Sequence, residues 1–329
     1  MRYGLAVLML ISLLSACAPR ILESRPKTGT PQLTDTFFIT ADGAALPLYA
    51  WQPAGKPRAV ILALHGFNDY GHFFSDPGNF LTLHGITSYA YDQRGFGGAP
   101  NPGTWAGVSA YARDAVQAVR AVKQRHPGLP LYLHGSSMGG AVAMLAASGP
   151  NAAPVNGVIL AAPAVWSRTT MPWYQRLALW VGAHLTPWLA LTGRGLDIVP
   201  SDNHEMLVRL NQDPLIIKQT RIDTIYGLVN LMDAALATAP DLKTPTLILY
   251  GDRDEIIPKA PTQRMLKTLP ANRHRIGLYE GGYHMLLRDL QAATVWKDIA
   301  AWVINQDAPL PSGADRISLK TLGMTEAWH

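Results

Sequence analysis

Apolar positions along the chain fall into two recurring patterns. Short unbroken runs end in glycine or a polar residue: AVILALHG (59–66), LPLYLHGS (129–136), VNGVILAAP (155–163) and TPTLILYGD (244–252). Such runs are typical of strands buried on both faces. ITSYAYD (86–92) and HRIGLYEGG (274–282) read as further strands. DTFFIT and ALPLYAWQP, joined by Asp42-Gly43, read as two strands and a turn. Between the runs, apolar residues recur at helical spacing. Helices are expected at His72–Leu83, at Val108–Arg125 (ending before His126-Pro127-Gly128), at MGGAVAMLAAS (138–148), at Pro261–Leu269 and at Leu290–Asn305. Alternating strands and helices predict an α/β protein with a mostly parallel central sheet and helices on both faces. The rhythm breaks between Ala164 and Asp241, where the pattern turns helical and rich in Trp. Residues 164–240 are therefore expected to be a helical insert in a core formed by 34–163 and 241–306. The tail, 307–329, holds Pro309, Pro311 and Gly313 and few apolar anchors, so it is expected to be loosely held.

The first residues follow neither pattern. Arg2 precedes an apolar run from Leu5 to Leu14, too short for a stable bilayer span of about 20 residues. The run reads as a secretory signal over 1–16. Its end, Leu14-Ser15-Ala16-Cys17, resembles the bacterial lipoprotein box, which implies lipidation of Cys17, the single Cys of the chain. That resemblance places the protein in the bacterial cell envelope, anchored by lipid. Ala18, in place of the Asp that marks inner-membrane retention, points to the outer membrane, facing the periplasm. Residues 18–33, rich in Pro, Ser and Thr, are expected to form a flexible tether reaching roughly 20–25 Å.

Composition narrows the function classes. The 329 residues are 48% apolar and 16% charged, enough to bury a large core. The net charge, 28 − 23 = +5, is spread without a basic stripe, so nucleic-acid binding has no electrostatic footprint. One Cys excludes a disulfide scaffold or a Cys-based metal site within the chain. No metal-ligand or nucleotide fingerprint occurs, and no cofactor is expected. Gly95-Phe96-Gly97-Gly98 precedes prolines rather than a helix, and Asp92 and Arg94 are expected to brace the loop after their strand.

The strongest chemical signal is Gly135-Ser136-Ser137-Met138-Gly139, a G-x-S-x-G set between an expected strand and an expected helix. That context makes it a nucleophile elbow, a strained turn that lifts a serine Oγ clear of the sheet. The spacing of the glycines selects Ser137 over Ser136. A serine needs a base, and the base needs an orienting acid. Asp254 lies just past a strand end, where its side chain can cross the top of the sheet. Asp252 is the competing acid, better placed to brace the loop. Of ten histidines, His284 follows the last strand and a Gly pair and is the expected base. His65 and His134, each before a glycine at a strand end, read as buried structural residues. The oxyanion donors are expected to be the backbone N–H groups of Met138, after the nucleophile, and of Phe67, in the loop after AVILALHG.

These pieces, with HGFNDYGHFF, YDQRGFGGAP, GSSMGGAVA, NQDPLIIKQTRIDTIYGLVNL, TPTLILYGDRDEIIP and YEGGYHMLLRDL, resemble α/β-hydrolases of the monoacylglycerol lipase and lysophospholipase group, which overlaps the serine aminopeptidase S33 grouping. The likeness spans about residues 35–305. It implies Ser137, Asp254 and His284 as nucleophile, acid and base, and Phe67 and Met138 as oxyanion donors. It also implies that the insert is a cap over an acyl-chain pocket. The expected activity is hydrolysis of a lipid or small ester without a cofactor. One departure is Ser136, where lipases of this group usually carry His. Trp166, Trp173, Tyr174, Trp180 and Trp188 in the insert suit either a lipid-facing surface or the contact between cap and core. Three other activities share these residues: acyl transfer to an alcohol, an S33-type peptidase, and a non-catalytic lipid-binding lipoprotein.

Overall fold

The computed structural model describes residues 18–22, 26, 28–193, 195 and 197–317. Eleven strands occur among them: β1 Gln32–Leu33, β2 Phe37–Ile39, β3 Ala45–Trp51, β4 Ala59–Leu64, β5 Ile86–Tyr91, β6 Leu131–Ser136, β7 Gly157–Ala161, β8 Ala190–Leu191, β9 Thr220–Arg221, β10 Thr246–Gly251 and β11 His274–Tyr279. The eight α-helices are α1 Ser75–Thr82, α2 Val108–Arg125, α3 Met138–Ala146, α4 Trp173–Leu185, α5 His204–Gln212, α6 Ile222–Thr238, α7 Lys259–Thr268 and α8 Ala292–Ile304. Nine strands form one sheet in the order β1-β2-β3-β5-β4-β6-β7-β10-β11. From β5 to β11 the neighbours run parallel; β1, β2 and β3 add an antiparallel edge. This is the α/β-hydrolase arrangement expected from the sequence.

Every residue of β4, β5, β7 and β10 is buried, as unbroken apolar runs require when helices cover both faces. On one face α2, α3, α6 and α7 pack over Leu62, Leu64, Leu133 and Ile248. On the other, α1 and α8 pack over Ile61, Ala63, Tyr132 and Leu247. The insert contributes α4, α5 and α6 and the two-residue pair β8–β9. Helix α6 also belongs to the core, because Val229, Leu231, Met232 and Ala235 bury against it.

Two terminal segments differ from the sequence reading. The described part of 18–33 lies against the body rather than hanging free. Leu22 N–H donates to Trp105 C=O (2.8 Å), Thr28 and Gly29 N–H donate to Ala41 C=O (2.7 and 3.0 Å), and β1 pairs with β2. A polar composition had concealed two apolar anchors, Leu22 and Leu33, and an edge strand open to pairing. The tail is also held, as far as Ile317. Leu310 and Ala314 are buried beside α8, Arg275 donates to the Asp307 C=O (3.2 Å) and to the Ala308 C=O, and Asp298 accepts from Ser312 N–H (3.0 Å). Two buried apolar side chains and a polar clasp outweigh the entropy that Pro and Gly suggested. Cys17 and the leader lie outside the described residues.

Candidate active site

Ser137 sits between the end of β6 and the first residue of α3, with φ 51° and ψ −115°. A non-glycine residue in that conformation is strained and persists only where its surroundings hold it. Here Ser137 N–H donates to Ala161 C=O (2.9 Å), and Ser137 C=O accepts from Gly140 and Ala164 N–H (2.9 Å each). The turn is tight enough to require its glycines. A Cβ at Gly135 would lie 2.2 Å from the Gly139 oxygen, and one at Gly139 would lie 2.2 Å from the Leu64 oxygen.

Asp254 and His284 come from the loops after β10 and β11, neighbours in the sheet. His284 Nδ1–H donates to Asp254 Oδ2 at 2.9 Å. Asp254 Oδ1 accepts from the N–H groups of Ile256 and Ile257 (2.9 Å each), so the carboxylate cannot turn away. Its side chain is wholly shielded from solvent. With Nδ1 committed to Asp254, Nε2 is left as the acceptor, and His284 lines the same cavity as Ser137. Asp252, the competing acid, instead accepts from Gly281 N–H at 2.7 Å and braces the glycine turn before His284.

The segments that carry the two expected oxyanion donors flank Ser137. Met138 is the first residue of α3, so its N–H has no acceptor within the helix. Phe67 follows Gly66, where a Cβ would stand 3.4 Å from the Ser137 Cβ. His65 shapes this loop from below: Nδ1–H donates to Gly66 C=O (2.7 Å), and Nε2 accepts from Gln93 N–H (2.8 Å). Full burial lowers its pKa, which suits the neutral tautomer those two bonds require. Asp92 accepts from Gly71 and Gly98 N–H (2.7 and 2.8 Å) and thus braces neighbouring loops. Arg94 is held separately, by Asp42 and Asp114.

A cavity of about 560 Å³ opens at Ser137, a volume normal for a small-molecule site. Its cap side is mostly apolar, with Trp166, Met171, Leu179, Leu228, Val229 and Met232, and carries one polar side chain, Gln175. The opposite side carries Asp69, Ser136 and Arg288. The other cap aromatics do not fill the contact with the core. Trp173, Trp180 and Trp188 are 68%, 54% and 57% exposed, and Tyr174, Leu177, Leu185 and Leu189 are exposed with them.

Several residues of the site were not singled out from the sequence. Arg288 pairs with Asp69 and sits 5.7 Å over the Phe73 ring. The partners are 219 residues apart, although Arg288 follows His284 at a helical interval and Asp69 follows the oxyanion loop. Buried Asp289 accepts from Tyr283 N–H (2.8 Å) and from the Ser201 hydroxyl (2.7 Å), and Met285 N–H donates to Pro200 C=O (3.0 Å). The middle of the cap, at Pro200 and Ser201, thereby holds the loop that carries His284. Asn68 Nδ2–H donates to Thr220 Oγ1 (2.7 Å), tying the oxyanion loop to the cap as well. Such contacts join distant segments and leave no local signal. Among the described residues no cluster of His, Cys, Asp or Glu is arranged to hold a metal ion.

Chemically the arrangement is that of a serine hydrolase built on the α/β-hydrolase fold. Residues 55–291 match the model of the serine aminopeptidase S33 family, and the chain belongs to that family. Within it, the chain is similar to proteins named monoglyceride or monoacylglycerol lipase. It is 29% identical over 301 residues to human monoglyceride lipase, covering 87% of this chain and 96% of that one. It is 23% identical over 270 residues to the monoacylglycerol lipase of Mycolicibacterium smegmatis, covering 82% and 96%. Among solved structures, a soluble variant of monoglyceride lipase from Saccharomyces cerevisiae, in complex with a substrate analog, shares the fold. Its TM-score is 0.67 at 22% identity, covering 87% of this chain and 98% of that one.

Proposed function

We propose that this protein hydrolyses lipid monoesters, monoacylglycerols or lysophospholipids, with Ser137 as nucleophile, His284 as general base and acid, and Asp254 as the acid that orients it. Ser137 Oγ attacks the ester carbonyl while His284 Nε2 takes its proton. The developing oxyanion is held by the N–H groups of Phe67 and Met138. The His284 imidazolium, steadied by Asp254, then protonates the departing alcohol, leaving an acyl-enzyme. Water, deprotonated by His284, attacks that ester and releases the fatty acid. The carrying observation is the cavity at Ser137, mostly apolar on its cap side, which suits an acyl chain. Likeness to relatives named monoglyceride lipase supports the same reading. A hydrolysis panel of monoacylglycerols, lysophospholipids, short p-nitrophenyl esters and aminoacyl-naphthylamides tests it, with Ser137→Ala as blank. Turnover of the long-chain monoesters is expected; turnover of the naphthylamides alone overturns the proposal.

The same proposal places the enzyme on a bacterial envelope membrane, the outer one, through a lipid on Cys17. No described helix is long and apolar enough to cross a membrane. Arg20 N–H reaches Asp223 Oδ2 at 3.4 Å, and Asp223 N–H donates to Pro187 C=O at 3.1 Å. Cys17 precedes Arg20 by three residues, about 10 Å of extended chain. Trp188 and Leu189, which follow Pro187, are exposed and suit contact with a lipid surface. Cys17→Ser with palmitate labelling tests the anchor: label lost and protein released from membranes is the expected result. Fractionation unchanged and label never seen is the result that overturns it.

A further inference from the structure

Strand β6 sets His134 and Ser136 two residues apart on one face, and neither enters the chemistry above. His134 is fully buried, its ring centroid 6.3 Å from that of Phe73 and 5.2 Å from that of Phe74. Its Nε2 stands 3.1 Å from Ser136 Oγ, while its Nδ1 has no hydrogen-bond partner. Ser136 lines the cavity beside the nucleophile, with Phe73, Asp69 and Arg288.

Burial pushes the His134 pKa down to about 3, so the ring is neutral and carries one proton. On Nδ1 that proton would be a buried N–H without an acceptor. On Nε2 it is donated to Ser136 Oγ, and what goes unpaired is a lone pair at Nδ1. Orphaned buried N–H groups are rarer than under-used acceptors, so the proton belongs on Nε2. Ser136 Oγ then accepts from His134, and its own O–H must find a different acceptor. The cavity is the space that Ser136 faces.

The parts of an ester can be matched to the walls. The acyl chain takes the apolar cap side, and the carbonyl oxygen takes the Phe67 and Met138 N–H groups. The alcohol portion is left for the wall of Ser136, Asp69 and Arg288. There the Arg288 charge is met by Asp69, so the wall offers hydrogen bonds with little net charge. We propose that Ser136 is a specificity-determining residue: its hydroxyl donates to an oxygen of an alcohol portion that bears a further hydroxyl. His134 is the positioning residue that keeps Ser136 a donor. This rests on the ester-hydrolase reading above.

The test compares the protein with its Ser136→Ala variant on a glyceryl and an ethyl ester of the same fatty acid. One lost neutral hydrogen bond should lower the ratio of kcat/KM for glyceryl over ethyl ester about three- to tenfold. An equal loss on both esters, or no loss on either, overturns the inference. Independently, ¹⁵N NMR of His134 should show a protonated Nε2 and a bare Nδ1 with no substrate present. A protonated Nδ1 overturns it too. If the unaltered protein turns over no ester at all, the hydrolase reading fails, and the substrate role of Ser136 fails with it. Hydrolysis with an unchanged ratio sinks this inference alone.

Discussion

The floor of the site and the cap above it are built on opposite principles. In the floor, the polar groups around the nucleophile are held by several bonds: Asp254 holds two N–H groups and His284, Asp252 holds Gly281, and the elbow's backbone is bonded on both sides of Ser137. Close approaches such as Gly139 to Leu64 leave no room for drift. The cap buries α6 against α3 but turns Trp173, Trp180, Trp188 and their aliphatic neighbours outward. Helix α4 has a single buried residue, Ala183. A floor made this way fixes geometry to within tenths of an ångström, which the chemistry needs. A cap made this way keeps apolar surface available, which a water-soluble fold has no structural reason to do.

The largest effects should come from the floor. Ser137→Ala should lower kcat by several orders of magnitude with the thermal unfolding profile retained. Asp254→Asn should cost about 10⁴ in kcat by presenting the wrong His284 tautomer. Asp252→Asn, which removes a loop brace, should cost far less. Steady-state kinetics on one ester decide the matter, and a reversed order for the two aspartates would reassign the acid.

Stability should separate the regions next. Leu310 is buried under the sheet. Leu310→Ala should destabilise the protein by about 2–4 kcal/mol in urea titration. Trp180→Ser, on the exposed cap face, should move stability by well under 1 kcal/mol. Equal losses would mean that the cap aromatics are packed rather than presented.

A smaller effect concerns the lipid surface. Replacing Trp173 and Trp180 together by Ser should lower turnover of vesicle-borne monoester roughly tenfold. Dissolved short esters should be cleaved within about twofold of the original rate. A parallel fall on both substrates would place these residues in the catalytic cycle instead.

The mildest handle is pH. Burial lowers the pKa of His134 to about 3 and lowers that of His65 as well. Between pH 6.5 and 3 the unfolded chain binds the His134 proton and the folded chain does not. Stability therefore falls as pH falls through that window, by up to about 1.4 kcal/mol per pH unit for that histidine. Above pH 6.5 neither state is protonated there, and His134 contributes no slope. His134→Gln should flatten the dependence between pH 6.5 and 5, measured by urea unfolding; an unchanged slope would show that His134 is not the group responsible.

Much of this molecule was legible along the chain because its signals are local. Buried parallel strands must be unbroken apolar runs, and an elbow must place small residues two positions on either side of its serine. AVILALHG, TPTLILYGD and GSSMG therefore announce themselves. Helix α2 was bounded at Val108 and Arg125 by its apolar spacing and by the His126-Pro127-Gly128 stop. Composition misled where two residues outweigh an average: Leu22 with Leu33 holds the N-terminal segment, and Leu310 with Ala314 holds the tail.

By itself, then, the sequence determined the alternation of strands and helices, the insert before Asp254, and the residues able to act as nucleophile, acid and base. Each follows from a periodicity or a spacing within a dozen residues. Tertiary structure alone decided that Arg288 pairs with Asp69, and it put Asp254, the acid the sequence favoured, against His284 while Asp252 braces Gly281. It also set which cap aromatics line the cavity and which face outward, and left His134 a single hydrogen-bond partner, Ser136. Those outcomes depend on which loops the sheet order brings side by side. β10 lies beside β11 and β4 beside β6, and that adjacency is a property of the closed fold, invisible in the spacing of residues along a chain.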